Sequence, residues 1–142
     1  MKQAPIRVVI VDDHLMVRES YKYVLEKDAR ISVVAACASG AEAIDVACRL
    51  KPDLMLMDIN MAPVNGFEAT RKISRLCPEV KIIGLSVNDQ PGYARNMMHL
   101  GARGYLTKNA SHAEMMHAIT EVFKGKTYLC QEIKEKMSDD NL

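Results

Sequence analysis

Leu54-Met55-Leu56-Met57-Asp58 is the stretch that decides the fold. Four apolar residues in a row carry no polar alternation, so neither face of the strand they form is suited to water. Such a strand belongs inside a parallel sheet covered on both sides, and this one delivers a carboxylate at its end. The same grammar recurs along the chain. Ile6 to Val11 runs into Asp12 and Asp13, Ile82 to Leu85 into Ser86, and Gly104 to Thr107 into Lys108, while Ile31 to Cys37 reads as a further strand. The strand starts lie about 21 to 28 residues apart, which leaves room for a helix and two loops in each interval.

The intervals carry helix punctuation. Ser39 with Glu42 and Ser111 with Glu114 have capping-box spacing, and Asn65 with Glu68 is a looser version. Lys51-Pro52 and Cys77-Pro78 close two helices, and Gly101 and Gly125 follow two others. Met115, Ala118, Ile119, Val122 and Phe123 make one apolar stripe, and Val17, Tyr21, Val24 and Leu25 another. Strand then helix, five times over, implies a three-layer α/β sandwich with right-handed crossovers and the first strand near the middle. After Gly125 the pattern changes. Leu129, Ile133 and Met137 form a short apolar series in a charged background, which predicts one extra helix and then a loose tail, Ser-Asp-Asp-Asn-Leu.

At 142 residues the chain is one domain's worth, and 49% hydrophobic with 26% charged residues argues against disorder. A net charge of +1 leaves no basic footprint for nucleic acid and no charged run for a membrane surface. No apolar run approaches a membrane span, and Met-Lys-Gln-Ala-Pro lacks the long apolar core of a signal peptide, so the expected location is the cytoplasm. The 4 cysteines contain no Cys-x-x-Cys and read as reduced, mostly buried small hydrophobes.

Ligands of an open parallel sheet bind outside the carboxyl ends of its strands. Asp12, Asp13, Asp58, Ser86 and Lys108 all fall there. Three carboxylates at one rim need a neutralising cation, or like-charge repulsion raises their pKa values. An all-oxygen set without a cysteine or histidine cluster suits Mg²⁺ or Mn²⁺ better than Zn²⁺. Lys108 then supplies a point charge and Ser86 a hydroxyl for a phosphoryl group, and a carboxylate that attacks phosphorus forms an acyl phosphate. His14, beside the acidic pair, reads as a partly exposed first-helix residue rather than a ligand.

On these residues the chain resembles a response-regulator receiver domain of two-component phosphorelays, over about residues 5 to 125. The stretches that carry the likeness are Val-Ile-Val-Asp-Asp-His (9–14), Pro-Asp-Leu-Met-Leu-Met-Asp-Ile-Asn-Met (52–61), Asn-Gly-Phe-Glu-Ala-Thr (65–70), Ile-Ile-Gly-Leu-Ser (82–86) and Gly-Ala-Arg-Gly-Tyr-Leu-Thr-Lys (101–108). The resemblance implies a doubly wound, flavodoxin-like sheet of five parallel strands in the order 2-1-3-4-5. It implies that Asp58 is the phospho-acceptor and that Asp12, Asp13 and Asp58 hold Mg²⁺, with the backbone carbonyl of Asn60 as a further ligand. Ser86 and Lys108 would contact the phosphoryl group, and Tyr105 would be the switch aromatic that turns inward and repacks the face of the fourth helix, fifth strand and fifth helix. The implied partners are a sensor histidine kinase or phosphotransfer protein and a second copy of the chain on phosphorylation. The domain would phosphorylate and dephosphorylate itself without being a turnover enzyme.

Asp-Asp-His with Arg18, and Gly125 followed by Tyr128-Leu129 and Glu132-Ile133, look like the NarL/FixJ (LuxR-type) branch. In that branch a linker and a helix-turn-helix domain follow. The expected division is then a receiver at 1–125 and a linker helix with tail at 126–142, the DNA-binding domain being absent from this chain. Asn109 stands where many receivers have proline. Three other readings remain open: a flavodoxin-like cofactor binder, which would want a Gly/Ser/Thr-rich loop in place of Asp-Asp-His; an aspartate-nucleophile phosphatase, which would want Asp-x-Asp; and a phosphorylation-independent pseudo-receiver.

Overall fold

A computed structural model describes residues 4–140. Met1 to Gln3 of the N-terminal lead-in, and Asn141 and Leu142 of the expected tail, lie outside the described residues. The elements run β1 (Ile6–Val11), α1 (Leu15–Glu26), β2 (Ile31–Cys37), α2 (Gly40–Leu50), β3 (Leu54–Asp58), α3 (Gly66–Leu76), β4 (Lys81–Ser86), α4 (Pro91–His99), β5 (Gly104–Thr107), α5 (His112–Phe123), β6 (Tyr128–Leu129) and α6 (Gln131–Asp140). All strand pairs are parallel, and the sheet order is β2-β1-β3-β4-β5-β6.

The five expected strands lie in the expected order, and the expectation of five is corrected to six. β6 pairs only two residues with β5, Tyr128 opposite Gly104 and Leu129 opposite Tyr105. Two residues cannot display a period, which is why the sequence reading passed over them. The tail is corrected too, since α6 carries the backbone of Ser138, Asp139 and Asp140 in helix.

The central strands are as dry as their composition demands. Val8 to Val11 of β1 and Leu54 to Met57 of β3 are all at most 1% exposed. α2, α3 and α4 lie side by side over one face of the sheet. Residues just beyond α1 and along α5 line a common cleft, Asp28 and Arg30 facing His112 and His117, on the other. All three caps form: Ser39 accepts from the Glu42 N–H, Asn65 from Glu68 and Ser111 from Glu114. The α5 stripe is buried from Met115 to Val122, but Phe123 at its end is 40% exposed, with the Lys81 ammonium 5.9 Å from its ring centre. The cysteine expectation holds for Cys37, Cys77 and Cys130, whereas Cys48 is exposed with its Sγ 3.1 Å from that of Cys77. Among the described residues the one cis peptide is Ala62–Pro63, so the Lys108–Asn109 bond is trans. No helix among them is long and apolar enough to cross a membrane.

Candidate functional site

Parallel pairing stops β1, β3, β4 and β5 at one rim, and each hands over a functional side chain there. Val11 is level with Met57, Asp58 with Leu85, and Ser86 with Thr107. Asp12 therefore follows the end of β1, Asp58 and Ser86 close β3 and β4, and Lys108 follows β5. Asp58 holds its height because α3 begins directly against it. The N–H of Gly66 donates to the Ile59 carbonyl at 3.3 Å, and a Cβ on Gly66 would lie 2.4 Å from the Asp58 carbonyl oxygen. Only a residue without a side chain lets the helix start so close.

Asp12 and Asp58 are both 1% exposed. The Lys108 ammonium donates to Asp12 Oδ2 at 2.8 Å and stands 3.7 Å from Asp58 Oδ1. Asp58 Oδ1 also accepts from the Asn60 N–H at 3.1 Å, while Asp58 Oδ2 is buried with no hydrogen-bond partner. Asp13 is more open, and one carboxylate oxygen or ring nitrogen from each of Asp12, Asp13, His14 and Asp58 lies within 4.8 Å of the others. His14 is not inside the first helix as expected but sits at its N-cap position, before Leu15, without a side-chain capping hydrogen bond. Its Nδ1 lies 3.0 Å from both Asp12 Oδ1 and Asp13 Oδ1, although the side chain is 69% exposed.

The two buried carboxyls are driven apart. Burial pushes Asp12 up, but the Lys108 and His14 hydrogen bonds together outweigh it and hold the carboxyl below its ordinary value. Burial raises Asp58, the Asp12 and Asp13 charges add to this, and the Asn60 N–H and Lys108 offset only part of it. Burial alone would lower Lys108, yet Asp12 and Asp58 keep its ammonium above the ordinary value. A buried, partnerless carboxylate oxygen among three acids is what an oxygen-seeking cation would satisfy. Asp12, Asp13 and Asp58 fit such a group, and the residue types match a hard divalent ion.

Ser86 and Tyr105 form a chain leading away from the acids. Ser86 Oγ donates to Asn60 Oδ1 at 3.0 Å and accepts from the Asn88 N–H at 2.9 Å. Tyr105 is fully buried, its hydroxyl donating to the Asn88 carbonyl at 3.1 Å. Burial pushes its phenol up to about 12. The sequence reading used only the backbone of Asn60, and it missed the side chain that ties Ser86 to the acceptor loop. It also missed Asn88 as the relay between Ser86 and Tyr105, and it used Arg18 only as a mark of the branch, whereas the Arg18 guanidinium donates to the Asp12 carbonyl at 2.8 Å. No spacing rule marks such single contacts between residues of different elements.

Comparison with known proteins agrees with this geometry. The family of response regulator receiver domains matches residues 8–120. The response regulator GacA of Pseudomonas viridiflava is 38% identical over 133 residues, covering 94% of this chain and 62% of the relative. The transcriptional regulatory protein DegU of Brevibacillus brevis is 38% identical over 124 residues, covering 87% of this chain and 52% of the relative. The chain thus spans between half and two-thirds of the length of these curated relatives. Among solved structures, a LuxR-family two-component response regulator from Aurantimonas sp. SI85-9A1 superposes with a TM-score of 0.93 at 29% identity, over 97% of this chain and 99% of that one. The signal receiver domain of NarL from Mycobacterium tuberculosis gives 0.83 at 26%, over 87% and 100%. Sequence, sheet order and rim thus converge, and the chain belongs to the response-regulator receiver domains of two-component systems.

Proposed function

We propose that Asp58 is the residue through which this receiver is switched, accepting a phosphoryl group from a histidine kinase or phosphotransfer protein. The observation that carries this reading is the Asp58 carboxylate itself: buried, with one oxygen unpartnered and Lys108 3.7 Å from the other. A carboxylate oxygen of Asp58 attacks phosphorus, and the donor's bond to that phosphorus breaks, its electron pair leaving with the donor. Lys108 offsets charge on the incoming oxygens. Ser86 gives up Asn60 and turns its hydroxyl toward the group, and Tyr105 answers through Asn88. Asp12, Asp13 and Asp58 with the Asn60 backbone carbonyl would hold Mg²⁺, which would supply positive charge against the acids and the incoming phosphoryl group. Hydrolysis of the acyl phosphate returns the carboxylate, so the domain catalyses its own phosphorylation and dephosphorylation and no outside turnover.

The wider reading follows the relatives. The transcriptional role that DegU's name states, and the length by which relatives exceed this chain, support a receiver at 1–125, a linker at 126–142 and a DNA-binding output outside it. A homodimer formed on phosphorylation, in the cytoplasm, completes the proposal. Intact-mass measurement after acetyl phosphate treatment tests it: a Mg²⁺-dependent phosphoryl adduct forms on the wild type and is absent from Asp58→Ala. Label that persists in the variant overturns the acceptor assignment, and equal label with and without Mg²⁺ overturns the metal site. A pseudo-receiver would take no label at all.

A further inference from the structure

The face made by α4, β5 and α5 is covered by the chain's own C-terminal segment. β6 lies along the β5 edge, with the Cys130 N–H donating to the Tyr105 carbonyl at 3.0 Å. On the α5 side, Glu114 accepts from both the Tyr128 hydroxyl and the Gln131 N–H at 2.9 Å. α6 then crosses back to α4. It buries Ile133, half-buries Met137, and places Glu132 Oε2 2.9 Å from the Thr107 hydroxyl that donates to it. Lys136 closes the far side in an ion pair with Asp89.

These anchors are not scattered. Thr107 immediately precedes Lys108. Asp89 follows Asn88, whose N–H is held by Ser86 and whose carbonyl is held by the Tyr105 hydroxyl. The four-residue loop 87–90 is thus gripped from inside by the switch residues and from outside by α6.

We infer that α6 is the resident occupant of the α4–β5–α5 face, a latch that holds the unphosphorylated arrangement and lets go when Ser86 is drawn to a phosphoryl group on Asp58. This rests on the acceptor reading above. Ser86 cannot leave Asn60 without moving Asn88 and Asp89, and Asp89 is Lys136's partner. The apolar contact of α6 is small, so a few polar anchors decide whether it stays docked, as expected of an element drawn from the low-stability end of a fold. Coupling of this kind is reciprocal: what phosphorylation does to α6, loosening α6 does to phosphorylation. A second copy reaches this face only after α6 has left it.

Hydrogen exchange on the full chain, read by mass spectrometry beside the intact mass, tests the latch. With Mg²⁺ and acetyl phosphate, amides of residues 131–140 should exchange several-fold faster once Asp58 carries its label. Lys136→Glu should produce that exchange without phosphodonor and raise the initial labelling rate several-fold, and adding Asp89→Lys should restore both values. Full label with unchanged protection of 131–140 overturns the latch and leaves the acceptor standing. No label on the wild type overturns both. A Lys136→Glu chain that loosens α6 but labels at the wild-type rate overturns the coupling.

Discussion

Asp12 and Asp58 stand at the ends of neighbouring strands at equal burial, yet their surroundings act on them in opposite senses. Asp12 titrates below an ordinary carboxylate, so its ionised form is favoured by folding. Its contribution is present above the unfolded pKa and is lost as the pH falls through the folded one. Asp58 titrates above the ordinary value, so its contribution runs the other way, present at low pH and lost as the pH rises through the raised folded pKa. Neutral variants should therefore differ in sign. Near pH 7, Asp12→Asn should destabilise by about 2 kcal/mol, the scale of a hydrogen bond to a charged group. Asp58→Asn should raise stability, since it removes a buried charge that the fold disfavours. Urea titrations at pH 7 and pH 4 check both, and the difference between the two variants should shrink at the lower pH. A stabilised Asp12→Asn would mean that the Lys108 contact does not persist in solution.

At the scale of elements, helix starts position the chemistry. Gly66→Ala would drive a Cβ to 2.4 Å from the Asp58 carbonyl oxygen and 2.5 Å from Ile59 Cα, both backbone atoms that cannot rotate away. The expected cost is about 1–3 kcal/mol, as for overpacking elsewhere. Acetyl phosphate labelling should slow with it, because the loop that carries Asp58 must shift. A variant with wild-type melting and wild-type labelling would show that α3 can retreat freely. Helix starts were also what the sequence expressed best. Ser39, Asn65 and Ser111 cap where their spacing to a glutamate predicted. Asp12, Asp13, Asp58, Ser86 and Lys108 were legible as a set because parallel pairing brings strand ends to one rim, so sequence position alone assigns them. Asn60's side chain, Asn88 and His14 were not: Asn60 reaches Ser86 through one side-chain contact, Asn88 acts through its backbone N–H and carbonyl, and His14 contacts its own sequence neighbours, and none of these leaves a period. Phe123 failed for a related reason: the helical stripe that predicts burial says nothing of where the covering sheet ends.

The molecule as a whole guards its thiols unequally. Cys37, Cys77 and Cys130 are buried, and burial pushes the first up to about 12 and the second, helped by Cys48, up to about 11. Cys48 is exposed on α2. Brief alkylation of the native chain at pH 8 should therefore modify Cys48 alone, with the other three reacting only as denaturant opens the fold, and peptide mapping reads the order. Early modification of Cys130 would mean that β6 and α6 open well before the core. The brevity of β6 also settles how this sheet meets other chains. A long, flat outer strand offers a row of unpaired N–H and C=O groups on which a foreign strand can add, the first step toward aggregation. Here the terminal strand is two residues long. At the opposite border, β2 breaks register beside Val8 and Val9. Neither border is a straight template, so crowding this domain at high concentration should not seed fibres.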